Sequence, residues 1–319
     1  MGCSTGTPVI RLTPEVAQAL LEGKGVVALE SSVLAQGLPI PFNRAAAERM
    51  MAAVRRAHAV PAVTAVVDGT PTLGLTADEL ERFLAREGIR KLSARDLAAA
   101  VVQGASGATT VAATLALIAR SDVRVFATGG IGGVHRDVAF DESADLVELA
   151  RTPRVVVCAG AKSILDLAAT LERLESLGVP VVGYRCAEFP AFMVQSSGLP
   201  VTIVAQTPEE IADIERAHRR LGRREALLVV QPLPTHAAIA ADEMESALAA
   251  ALRAADTARV RGAAVTPFLL AAIDRATAGR SGIANLALLE ANAELAGRIA
   301  VALAPGAAAA VPSSRLRSS

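Results

Sequence analysis

What most restricts this chain is a series of short apolar runs, each separated from the next by a stretch long enough for a helix. The runs are "GVVALE" (25–30), "AVTAVVD" (62–68), "RVFAT" (124–128), "RVVVCA" (154–159), "PVVGY" (180–184) and "ALLVVQ" (226–231). They are rich in Val, Leu and Ala, too short for helices and free of polar alternation. Such runs predict strands buried on both faces. Helical periods lie near 43–58, 76–87, 94–102, 109–120, 163–177 and 207–221. In the 163–177 period, Ile164, Leu167, Leu171 and Leu174 form one stripe, with Glu172, Arg173 and Glu175 largely off it. Gly178 and Pro180 then stop it. This alternation predicts an α/β fold: three layers, α/β/α, around a central largely parallel or mixed sheet. The last quarter reads differently. Segments 239–256, 266–278 and 283–303 look helical, with "VRGAAVTPF" as a break, and predict a C-terminal helical region capping the sheet. No Gly-, Ser- or Pro-rich linker precedes it, so residues 10–304 read as a single domain. Residues 1–9 read as a flexible N-terminus and 305–319, "PGAAAAVPSSRLRSS", as a disordered tail.

Composition removes several function classes. Among 319 residues, 32 Lys and Arg balance 32 Asp and Glu, which gives no general attraction to nucleic acid or to acidic membranes. Aromatic residues make up 3% and Trp is absent, so stacking platforms for single strands are not expected. The first residues lack the basic start and apolar core of a signal peptide, and no run reaches the ~18 apolar residues of a membrane span. Three cysteines, Cys3, Cys158 and Cys186, are too few and too odd for a disulfide framework and suit a reducing cytoplasm. Cys158, inside an apolar run, reads as a small buried hydrophobe. No His-Glu-x-x-His or Cys-x-x-Cys spacing offers a zinc site.

Ligands of such sheets bind beyond the carboxyl ends of the strands, and several runs here end in chemistry. "VVAL" ends in Glu30, followed by Ser31 and Ser32. "VFAT" runs into "GGIGGVHR", whose glycines either cradle a phosphate or make a tight loop. "VVVCAGA" ends in Lys162. The helix expected from residue 163 would place the Lys162 ammonium at a positive dipole end among apolar neighbours. Both influences lower a lysine pKa and favour a nucleophilic amine. A snorkelling surface lysine is the other reading of the same position. "FDESADLVEL" (140–149) offers Asp141, Glu142, Ser143 and Asp145 either to a hard cation such as Mg²⁺ or Mn²⁺ or as the acidic first turn of a helix. Lys91 precedes a Ser-capped helix in "KLSARDL" and is either a phosphate ligand or a solvated lysine.

These stretches, taken together, resemble one family. "ALESSVLAQGLPIPFN", "VPAVTAVVDGTPTLGL", "KLSARDL", "GASGATTVAATLALI", "VFATGGIGGVHR", "FDESADLVELARTPRVVVCAGAKSILD", "VTPFLL" and "NLALLEANAELA" are similar, in order and spacing, to pseudouridine-5′-phosphate glycosidases, also called the indigoidine synthase A-like family. The resemblance implies reversible cleavage of the C–C glycosidic bond of pseudouridine 5′-phosphate to uracil and ribose 5-phosphate. It implies a lysine imine with ring-opened ribose, a divalent cation, typically Mn²⁺, and a homotrimer. It places the nucleophile at Lys162, the acid/base at Glu30 and the metal ligand at Asp141. Substrate contacts fall at Lys91, Val111, Ser143, Ala144 and Asp145. A Schiff-base lyase acting on another phosphorylated sugar, and a non-catalytic nucleotide-binding module, are the alternatives. The chain departs from the family pattern in a shorter loop at Asp137-Val138-Ala139, in Gln231 where Asn is expected, and at Arg185 and Cys186.

Overall fold

The computed structural model describes residues 10–136, 140–260 and 265–305. Residues 1–9 with Cys3, the loop 137–139, residues 261–264 within the expected break and the tail from 306 lie outside the described residues.

All six expected strands form. In chain order the strands are β1 (Arg11–Leu12), β2 (Val26–Glu30), β3 (Val60–Val67), β4 (Thr70–Leu73), β5 (Arg90–Leu92), β6 (Gly107–Thr109), β7 (Val125–Ala127), β8 (Val134–His135), β9 (Val155–Cys158), β10 (Leu165–Asp166), β11 (Val181–Tyr184), β12 (Ile203–Ala205) and β13 (Leu227–Val230). The main sheet runs β1-β4-β3-β2-β7-β9-β13-β11-β12. From β3 to β12 every neighbour is parallel, with Val27 beside Val125 and Val125 beside Val155. The other end is mixed: β4 and β6 both run antiparallel to β3. β2, β7, β9 and β13 are wholly buried, as continuous apolar strands between two helical layers must be.

The helices are α1 (Pro14–Leu21), α2 (Phe42–Arg56), α3 (Ala77–Ala85), α4 (Leu97–Val102), α5 (Val111–Ile118), α6 (Ala144–Arg151), α7 (Leu167–Ser176), α8 (Pro208–Arg220), α9 (Ala241–Thr257), α10 (Val265–Ala276) and α11 (Arg280–Leu303). α5 and α6 pack together, with α5 on β2 and β3. α11 packs on β2, β7 and β9 between α2 and α8. The C-terminal region is therefore not only a cap, as the sequence reading had it. α9 and α10 pack on each other, but α11 is the centre of a helical layer, buried along its length except for one stripe through Ile283, Glu290, Glu294, Arg298 and Val301. Gly297 permits the close approach: a Cβ there would stand 2.6 Å from Ala57 Cβ. One apolar cluster runs from Val16 to Leu303. No helix of the described residues is long and apolar enough to cross a membrane.

Candidate active site

Because β2, β7 and β9 are parallel neighbours, their carboxyl ends open on one side of the sheet. β2 delivers Glu30, 5% exposed. Its carboxylate accepts the Ser32 hydroxyl at 2.6 Å on one oxygen and the Thr128 hydroxyl on the other. Thr128 follows β7. Lys162 follows β9 through Ala159-Gly160-Ala161, and its backbone N–H donates to the Ile131 carbonyl at 3.2 Å.

One expectation fails here. The helix after Lys162 starts at Leu167, not at residue 163. Asp166 is its cap, accepting the Ala169 N–H at 2.9 Å, and Leu165–Asp166 is spent as β10 against β8. Lys162 therefore stands in a turn ahead of the helix, and the dipole argument does not reach it. What surrounds it instead is charge. Lys91 lies on β5, and burial pushes its pKa below the ordinary lysine value, with the Lys162 charge pushing the same way. Glu30 and Asp145 oppose the shift.

The 140–149 segment opens α6 with an acidic first turn, one of its two readings. Ser143 caps α6, accepting the Asp145 N–H at 3.2 Å. Asp145, 6% exposed, accepts the Ala112 N–H at 2.9 Å and the Gly132 N–H at 2.8 Å, one on each oxygen. It thereby ties the start of α5 to the glycine-rich run. Gly132 has no room for a side chain, since a Cβ would stand 2.2 Å from Ser143 Oγ. Of the two readings of that run, the tight loop is the one its hydrogen bonds favour. The N–H groups of Ile131, Gly132 and Val134 go to Gly160 O, Asp145 and Thr170 Oγ1.

The cavity has two lobes. The larger, ≈260 Å³, is lined by Glu30, Lys91, Val111, Ser143, Ala144, Asp145 and Lys162, seven of the eight expected site residues. Arg95 and His135 add further cationic or protonatable groups, and Thr110, the cap of α5, faces it. The smaller lobe, ≈60 Å³, shares Glu30, Ser32, Lys91 and Lys162 and adds Phe192, Leu270, Gln36 and Asn285. Gln36 Oε1 and Asn285 Oδ1 are buried without a hydrogen-bond partner among the described residues. Sequence reasoning singled out neither, although Gln36 lies in "ALESSVLAQGLPIPFN" and Asn285 opens "NLALLEANAELA", two of the stretches that carry the resemblance.

Asp141 is the expected site residue left outside the lining. It is exposed, and its carbonyl accepts the His135 N–H at 2.9 Å. Among the described residues no three His, Cys, Asp or Glu side chains converge as a closed metal cage. A hard cation held through the Asp141 carboxylate, with waters completing its shell, fits such a position. Two departures from the family pattern also lie away from the lining: Arg185 packs over the Tyr184 ring at 5.0 Å, and Cys186 Sγ–H donates to Val230 O at 3.6 Å.

Fold and site define an α/β enzyme with a lysine and a glutamate facing one cavity at the strand ends. The model of the family described as indigoidine synthase A like protein matches residues 15–302. The chain is 64% identical over 296 residues to the pseudouridine-5′-phosphate glycosidase of Gemmatimonas aurantiaca, covering 93% of this chain and 97% of that protein. It is 51% identical to the one from Chloroflexus aurantiacus, covering 92% and 98%. Among solved structures, the prealnumycin C-glycosynthase in complex with ribulose 5-phosphate superposes with a TM-score of 0.87 at 38% identity, covering 95% of this chain and all of that one. An indigoidine synthase A-like protein of Thermotoga maritima gives 0.84 at 36%, covering 95% and 99%. The chain belongs to the indigoidine synthase A-like family, alongside the pseudouridine-5′-phosphate glycosidases.

Proposed function

We propose that this enzyme reversibly cleaves the C–C glycosidic bond of pseudouridine 5′-phosphate, giving uracil and ribose 5-phosphate. The observation that carries the reading is the two-lobed cavity whose lobes meet at Lys162 and Glu30. The larger lobe, with Lys91, Arg95 and the start of α5, suits a sugar phosphate. The smaller lobe suits a flat base. Phe192 and Leu270 supply apolar walls, and the two unpartnered amide oxygens supply acceptors for uracil N–H groups. The C-glycosynthase relative is in complex with ribulose 5-phosphate, which supports a sugar phosphate as the ligand class.

A C–C bond to a base offers no basic leaving atom. In the cleavage direction the Lys162 amine bonds to C1′ as the C1′–ring oxygen bond breaks; Glu30, in its acid form, protonates the departing oxygen and takes a proton back from the new secondary ammonium, leaving a lone pair on the nitrogen bound to C1′. Glu30 delivers a proton to C5 of the base. The C1′–C5 electron pair goes to that carbon while the nitrogen lone pair forms the imine. Water then hydrolyses the imine, returning the lysine and releasing ribose 5-phosphate. Ser32 and Thr128 hold the Glu30 carboxylate, and Lys91 holds the phosphate. Val111, Ser143, Ala144 and Asp145 shape the sugar lobe. A divalent cation such as Mn²⁺ would be held by Asp141, and would supply charge to polarise substrate or water beside the phosphate lobe.

The assembly is assigned as a homotrimer, for which light scattering after gel filtration is the test. The free thiols Cys158 and Cys186 suit the cytoplasm. The function is tested by incubating protein, pseudouridine 5′-phosphate and Mn²⁺ and measuring uracil. The wild type releases uracil. Lys162→Ala releases none while still binding ribose 5-phosphate. Full turnover by that variant refutes the lysine mechanism.

A further inference from the structure

A buried amide stands behind the glutamate with every polar atom committed. Asn292, on α11, is 1% exposed. Its Nδ2 donates to the Thr128 carbonyl at 2.8 Å and to the Gly129 carbonyl at 3.3 Å. Its Oδ1 accepts from Gln231 Nε2 at 3.0 Å. Gln231 follows β13 and is itself anchored, its backbone N–H donating to Cys158 O at 3.1 Å. Thr128 in turn donates its hydroxyl to Glu30. The bonds thus cross the ends of the sheet, from β13 through the helical layer to β7 and then β2. Gln231 does not touch the cavity: its longer amide reaches the helix.

An amide in an otherwise apolar interior costs desolvation that a leucine would not. Two of its bonds end on the backbone carbonyls of Thr128 and Gly129, and Gly129 lines the smaller lobe. We infer that Asn292, pinned by Gln231, is a positioning residue: it fixes the backbone at Thr128 and Gly129, so that the Thr128 hydroxyl holds Glu30 toward the base. This rests on the proposed reaction for its kinetic readout, and on geometry alone for its structural one.

The test is a double-mutant cycle on uracil release, using Asn292→Leu, Thr128→Val and the double variant. Each single variant loses about 10- to 100-fold in kcat, the scale of a misplaced catalytic group, with KM within about 3-fold of wild type. The double variant is no worse than Thr128→Val alone by more than about 3-fold, because Asn292 acts through Thr128. Thr128→Ser restores kcat. Additive losses, or losses confined to KM, overturn the inference. If Asn292→Leu does not fold, Gln231→Met, at a half-buried site, lowers kcat several-fold with KM unchanged, and wild-type kcat there overturns it. A crystal structure of the folded variant decides independently of substrate: an unaltered Thr128–Glu30 bond refutes the tie. If wild-type protein releases no uracil, the proposed reaction fails, and the crystallographic comparison still settles the tie.

Discussion

Replacing Asp145 by Asn separates a structural duty from a substrate contact. Both carboxylate oxygens accept backbone N–H groups, from Ala112 and Gly132, in a site 6% exposed. Asparagine keeps one acceptor oxygen and turns an NH₂ toward the other donor. One charge-assisted bond is lost, worth about 1.5–3 kcal/mol, and a buried N–H is left without an acceptor, a cost of about 1–3 kcal/mol that partly overlaps the first. A total near 3 kcal/mol, at roughly 2–4 °C per kcal/mol for large domains, lowers Tm by roughly 6–12 °C. Calorimetry reads this directly. The same change acts on Lys91, because Asp145 is one of the two carboxylates that hold the Lys91 proton against burial and Lys162. Its loss lowers the Lys91 pKa further, so substrate binding weakens at a lower pH than in wild type. A variant with wild-type Tm and an unshifted alkaline limb in KM refutes both parts.

Lys91→Gln raises KM for pseudouridine 5′-phosphate about 10- to 100-fold, the worth of a charge-assisted phosphate bond, with a smaller effect on kcat. In wild type KM climbs as pH rises through the lowered Lys91 pKa, below the ordinary 10.5; a KM flat to pH 10 removes Lys91 from phosphate binding. Burial pushes the Cys158 thiol up to about 12, so iodoacetamide at pH 8 leaves it unmodified in native protein and labels it in urea. Peptide mapping checks this, and native labelling shows that the sheet interior opens. Chelation abolishes uracil release and Mn²⁺ restores it, while Asp141→Asn raises the Mn²⁺ needed for half-maximal rate; turnover unaffected by chelator removes the cation from the reaction.

The central strands were legible because burial on both faces demands uninterrupted Val, Leu and Ala. β5 and β6, at three residues each, were not: "RKL" and "GAT" carry no apolar period, and the pairing of β6 with β3 and of β5 with β6, rather than composition, makes them strands. The start of α7 was misplaced because Ile164 extends the helical stripe in sequence, whereas Asp166 captures the Ala169 N–H and starts the helix later. Glu30 and Lys162 were visible as polar residues closing apolar strands. Gln36, Asn285 and Asn292 lie in stretches that carry the family resemblance but were not singled out, since an amide acquires its meaning only from the carbonyl or cavity it meets, and those partners lie in other elements.

The burial of α11 also orders events during synthesis. Arg56 at the end of α2 and Glu290 on α11 form an ion pair between positions 234 apart in the chain. At ~5–20 residues per second, a ribosome needs on the order of 10–50 s to make the intervening chain. For that interval Val54 and Ala57, which meet Gly297 in the finished protein, have no helix over them, and the nascent sheet shows an apolar face to solvent. Asn292 arrives with the same helix. A half-made chain already carries Glu30 and Lys162 but lacks the amide that ties Thr128, so Glu30 gains that support only when the whole layer closes.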